Sequence, residues 1–135
     1  MLSLETIGYY SDVLGSQRYP IPFALFYADT ANFIGVVGNL DSKNLVNKVT
    51  ETFRRHSDFP SESLYAPGWM TGVDWSDQWA FWKEDYRAVM VTDTALFRYE
   101  AYHTPQDTPD KVIYPKLAQV VAGMSRVVVE MASST

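Results

Sequence analysis

Three segments of the chain carry the dense apolar lettering of buried strands, and three more repeat at helical spacing. Leu2 to Tyr10 mixes apolar and β-favouring residues and reads as a strand, LSLETIGYY, interrupted by Glu5. Residues 11–31 read as a loop around Gly15, Ser16, Pro20 and Pro22, with an apolar patch FALFY that is either a short strand or a loop packed on the body. NFIGVVGN, bounded by Asn32 and Asn39, has the short β-branched run of a strand covered on both faces. After it, Ser42 is placed to cap a helix whose Leu45, Val46, Val49 and Phe53 share one face, ending near His56. From Ser57 to Gly72 the period is lost and a long loop is expected. SDQWAFWKE then predicts a short helix capped by Ser76, and YRAVMVTD a further buried strand with Asp93 at its end. Residues 94–114 form a second irregular stretch. From Pro115 a closing helix aligns Leu117, Val120, Val121, Met124, Val127, Val128 and Met131 in one stripe.

Strands alternating with helices predict an α/β fold, a partial mixed sheet flanked by helices, in which ligands collect at the carboxyl ends of strands. The 135 residues suffice for one unit, 1–135, and nine Tyr, seven Phe and four Trp predict an aromatic core. A net charge of −5 with scattered Lys and Arg argues against nucleic acid and against an anionic membrane surface. The absence of cysteine removes thiol nucleophiles, disulfide frameworks and zinc ribbons together. No signal peptide is visible and no apolar run approaches a membrane span, so the compartment stays unread. A strand that starts directly after Met1 suggests a piece of a larger domain.

Neither GxSxG, GxGxxG nor GxxxxGK[ST] occurs, so a hydrolase elbow, a dinucleotide fingerprint and a phosphate loop have no support. A Ser76, His103, Asp triad can be written down, as in any chain of this size. Metal chemistry is the better prospect. His103 lies in YHTPQDT, stiffened by Pro105 and close to Asp107 and Asp110, and a neutral imidazole held by an oxygen is the commonest zinc ligand. Glu5 inside an apolar strand requires a cation, a donor or water. His56, beside Arg54 and Arg55, reads as a surface residue favoured by the helix terminus.

LSLETIGYY, SDQWAFW, YRAVMVTDTALFRYEAYHTPQDTPD and a closing helix with VVAGM together resemble the carboxyl-terminal half of the zinc-dependent aminopeptidases of peptidase family M-28. The resemblance runs over essentially the whole chain and is most specific from Val89 to Asp110. It implies the zinc-exopeptidase (phosphorylase/hydrolase-like) fold and a site of two zinc ions. Glu5 would bind one ion and His103 the other, with Asp77 in an orienting role and Asp93, Asp107 and Tyr102 supporting the ligands or touching substrate. The loop with Tyr65 and Trp69 would line the substrate pocket. Gln78 stands where the family often has His. The family's HxD motif, bridging Asp and Glu-Glu pair do not occur in this chain, so the general base belongs to an amino-terminal half and no catalytic residue is assigned here.

The implied function is removal of an amino-terminal residue from a peptide substrate by the parent enzyme, with this chain inactive alone. Its partners would be that amino-terminal half or another copy of itself, and a homo-oligomer is expected because half a domain leaves apolar surface open. The alternatives are a non-catalytic domain that binds a peptide or partner chain, and a glutaminyl cyclase or carboxypeptidase relative.

Overall fold

The computed structural model describes residues 1–19, 23–27 and 29–133. Pro20 and Pro22, assigned above to the first loop, lie outside them. Four strands form one mixed sheet: β1 (Leu2–Glu5), β2 (Ile34–Gly38), β3 (Ser61–Tyr65) and β4 (Val89–Thr92), in the order β1-β4-β2-β3. β1 runs parallel to β4 and β3 parallel to β2, while β2 and β4 are antiparallel. The α/β expectation of a mixed sheet with helices is met.

Helices α1 (Lys43–His56) and α3 (Tyr114–Ser133) cover one face. Val46, Val49 and Phe53 of α1 and Val120, Met124 and Val127 of α3 close on Ile34, Val36, Val89 and Val91 in one buried cluster. Burial of each such side chain contributes about 1.5–3 kcal/mol. The opposite face carries a smaller cluster of Val37, Ala66, Val73 and Met90, with Trp82 of α2 (Gln78–Lys83) packed beside it.

Four local expectations are corrected. The stretch read as one long loop contains β3, whose SESLY lettering hides a strand because this edge position is only half-buried and tolerates Ser and Glu. Its Ser61 turns toward α1, where the hydroxyl accepts from Nε of Arg54 at 3.0 Å. The first strand stops at Glu5, since Thr6 adopts a positive φ of 45° that no ladder accommodates. Ser42 does not cap α1 with its hydroxyl; that oxygen accepts from the Ala88 N–H at 3.2 Å, while Asn39 caps the preceding turn through the Ser42 N–H at 2.9 Å. Ser76 likewise leaves α2 uncapped and bonds its hydroxyl to that of Ser3 at 2.9 Å.

The stripe on α3 is narrower than its letters suggest. Val121 and Val128 are half-exposed and, with Leu2, Leu4 and Ile7, line an apolar groove beside the outer edge of β1. Among the described residues, no helix is long and apolar enough to cross a membrane.

Candidate functional site

Sheet register places Glu5, Thr92, Gly35 and Glu62 in one row across β1, β4, β2 and β3. Above this row opens an apolar pocket of about 120 Å³ whose wall includes all four, together with Tyr19, Phe33, Val37, Met70, Leu96 and Tyr102. Gly35 sits in the middle of the row, where a side chain would occupy the floor; a Cβ there would meet the Thr92 carbonyl at 3.3 Å. Two carboxylates therefore face an apolar trough from opposite ends.

The end of the sheet beside Glu5 is held by Asp93. Its Oδ2 accepts from the backbone N–H groups of Gly8 at 2.9 Å and Tyr9 at 2.8 Å, and its own N–H donates to the Thr6 carbonyl at 2.8 Å. The chain leaving β1 is thereby tied to the chain leaving β4. Burial raises the Asp93 carboxyl, against the Tyr9 N–H, the Thr6 hydroxyl, the Arg98 guanidinium and the Gly8 N–H, which all favour the anion. Arg98 is itself pulled down to about 10, chiefly by burial, with Asp93 acting against that shift.

The irregular stretch 94–110 folds back over the same end. Tyr9 stacks on Tyr99 with centroids 4.4 Å apart, and the Tyr99 hydroxyl donates to Asp107 at 2.8 Å. Tyr102 reaches the pocket wall, where burial first, then the negative charges of Glu5 and Asp93, raise its phenol. His103 is exposed, has a φ of 56° and stacks its ring on Tyr102 at 3.9 Å. Among the described residues, three of the four non-glycine positions with positive φ, Thr6, Thr94 and His103, adjoin this end of the sheet. Non-glycine residues held in such backbone cluster at functional sites, where the surrounding structure supports the strain.

Of the six residues singled out from the sequence, Glu5 and Tyr102 share the pocket wall, His103 rests on Tyr102, and Asp93 lies beneath as the anchor of both strand ends. Asp107 stays on the exposed loop, bound to Tyr99. Asp77 is exposed at the start of α2 and does not line the pocket. The pocket lining from the stretch around Tyr65 and Trp69 also differs from expectation. Trp69 is exposed and Tyr65 lies under the Lys43 ammonium at 4.8 Å, while Met70 and Trp75 face the pocket instead. Gly35 and Glu62 could not be singled out from letters, because only the register of β2 and β3 sets them in line with Glu5. Among the described residues, no group of three or more His, Asp or Glu side chains is placed to hold a metal ion.

No family model and no solved structure matches the chain. It is similar to a protein of Escherichia coli (strain K12) named "Uncharacterized protein YfbL", with 42% identity over 125 residues. That match takes in 92% of this chain and 39% of YfbL, so the chain spans about two fifths of the relative's length.

Proposed function

We propose that this chain is the substrate-pocket part of a zinc-dependent aminopeptidase of the kind it resembles, peptidase family M-28, with Glu5 and His103 each offering one ligand to a different zinc ion. One observation carries the reading: Glu5 and Tyr102, the latter bearing the stacked ring of its neighbour His103, line one apolar pocket, although about a hundred positions separate them in the chain. A hydrolytic zinc ion takes about three protein ligands. The two donors here do not make such a site, so no step through a metal is assigned to this chain and the general base lies outside it. What its own residues do is bind and orient. The trough receives the side chain of the substrate's first residue, Asp93 holds the backbone that follows Glu5, and Tyr102 keeps its proton and can donate a hydrogen bond at the pocket wall.

The length of YfbL beyond the matched segment is consistent with a larger catalytic unit, and the open edge of β1 leaves room for further strands. A second reading, a non-catalytic domain that pairs a partner strand along β1, draws support from the apolar groove at that edge.

The test is a chimera in which this chain replaces the matching segment of YfbL. It should bind zinc and release amino-terminal residues from short peptides, and His103→Ala or Glu5→Gln should lower that activity at least a hundredfold with the fold retained. A folded chimera that takes up no zinc, or variants that keep full activity, would overturn the reading.

A further inference from the structure

We propose that the trough is built for a long cationic side chain of the lysine or arginine class, with Glu62 as the anion at its far end. The proposal rests on the reading of this pocket as the seat of a substrate side chain, and it names which side chain.

Glu62 projects from β3 on the pocket side of the sheet. Ser61, one residue earlier, turns to Arg54 on the α1 side, and Leu64, two residues later, joins the cluster around Val37 and Met90, so strand alternation sends Glu62 and Leu64 the same way. The pocket wall is largely apolar, with Phe33, Val37, Met70 and Leu96, and the phenols of Tyr19 and Tyr27 lie within reach of the Glu62 charge. Among the described residues, Glu62 has neither a salt bridge nor a hydrogen-bond donor within contact distance. A half-buried carboxylate with no cation beside it is placed to receive one that enters the pocket. Its charge is felt nearby: the Tyr19 phenol is pushed up to about 12, by burial first and with Glu62 adding to the rise.

Dimensions agree with this occupant. A dry apolar cavity of about 150 Å³ holds benzene, so about 120 Å³ accepts a four-carbon stem. Glu5 and Glu62 are three strand spacings apart, about 14 Å between backbones. An extended lysine stem of about 6 Å fits within that span. Gly35 keeps the floor between them clear. A purely aliphatic side chain of equal length would fill the trough and leave Glu62 unpaired, and an acidic one would meet like charge.

The experiment is an NMR titration of the chain with L-lysinamide, L-argininamide and L-norleucinamide, the last having an alkyl stem without the terminal charge, read at the methyl signals of Val37, Leu64 and Met90. The two cationic amides should bind at least tenfold more tightly than norleucinamide, as a charge-assisted contact implies. Glu62→Gln should bring the three within about twofold, and Glu62→Lys should reverse the order. Equal or tighter binding of norleucinamide to the native chain, a preference that survives Glu62→Gln, or no response to any of the three would overturn the proposal. No metal enters this measurement. A chimera that is an active zinc aminopeptidase but prefers norleucine would sink this inference alone, and lysinamide binding with an inactive chimera would sink only the proposed reaction.

Discussion

The guanidinium of Arg98 donates from Nε to the side-chain oxygen of Gln17 at 2.7 Å, although 81 positions separate them. Its Nη1 also donates to the carbonyls of Phe33, at 3.0 Å, and Ala31, at 3.3 Å, and the group lies 4.4 Å from the centre of the Phe33 ring. One buried cation thus ties the first loop and the entry to β2 onto the turn after β4. These are walls of the pocket, since Tyr19, Phe33, Thr94 and Ala95 all line it. Gln17→Ala leaves a buried charged donor short of an acceptor, so a loss of about 3 kcal/mol is expected in urea unfolding. A loss below about 0.5 kcal/mol would show that the pair is dispensable.

Gly123 of α3 packs directly on Phe53 of α1. A Cβ there would lie 2.4 Å from Cε2 of Phe53, well inside contact distance. Helix propensity alone favours alanine by about 1 kcal/mol. Overpacking costs about 1–3 kcal/mol and should win. Gly123→Ala is therefore expected to destabilise despite its better propensity, and Phe53→Leu in the same chain should recover part of the loss. A stabilised Gly123→Ala would contradict this packing.

How far the letters carried this fold depends on where each signal resides. β2 and β4 were legible because burial on both faces demands unbroken Val, Ile and Met, and α1 and α3 because a helix on a sheet keeps one apolar stripe. β3 was not, since a half-buried edge strand that admits Ser61 and Glu62 has no such demand. Glu5, Tyr102 and His103 were singled out through a resemblance of motifs; Glu5 and Tyr102 share one pocket wall, and His103 is exposed and stacked on Tyr102. Glu62 had no local signal at all. Its part in the trough comes from the parallel pairing Gly35↔Glu62 and the antiparallel pairing Gly35↔Thr92, long-range relations that no short window contains.

At the far end of α1, Arg55 and His56 both meet Glu130 of α3, the His56 contact being 3.0 Å. The His56 hydrogen bond, and then Arg55, hold the Glu130 carboxyl below its ordinary range. Because the folded value lies below the unfolded one, the native state binds fewer protons between the two. This contribution is present above the ordinary carboxylate value and is lost as pH falls through the folded one. Thermal melts of the native chain and Glu130→Gln should differ near neutral pH, converge as pH falls below the ordinary carboxylate range, and differ less in high salt because the pair is exposed. A gap that widens in acid would have the wrong sign for this linkage.

The outer edge of β1 governs what the chain does in isolation. Among the described residues β1 pairs with β4 alone, and the groove beside its other side presents Leu4, 59% exposed, next to Val121 and Val128 of α3. An unpaired edge flanked by apolar side chains is a template for another strand, and two copies related by a two-fold axis can satisfy each other's edge. The chain by itself is therefore expected to self-associate as concentration rises. Leu4→Lys places a charge on the edge and Val128→Glu places one in the groove, so either should shift light-scattering masses toward the monomer without changing the circular dichroism of the fold. A native chain that stays monomeric at millimolar concentration would mean that this edge does not recruit a second copy, and the substitutions would then have nothing to disrupt.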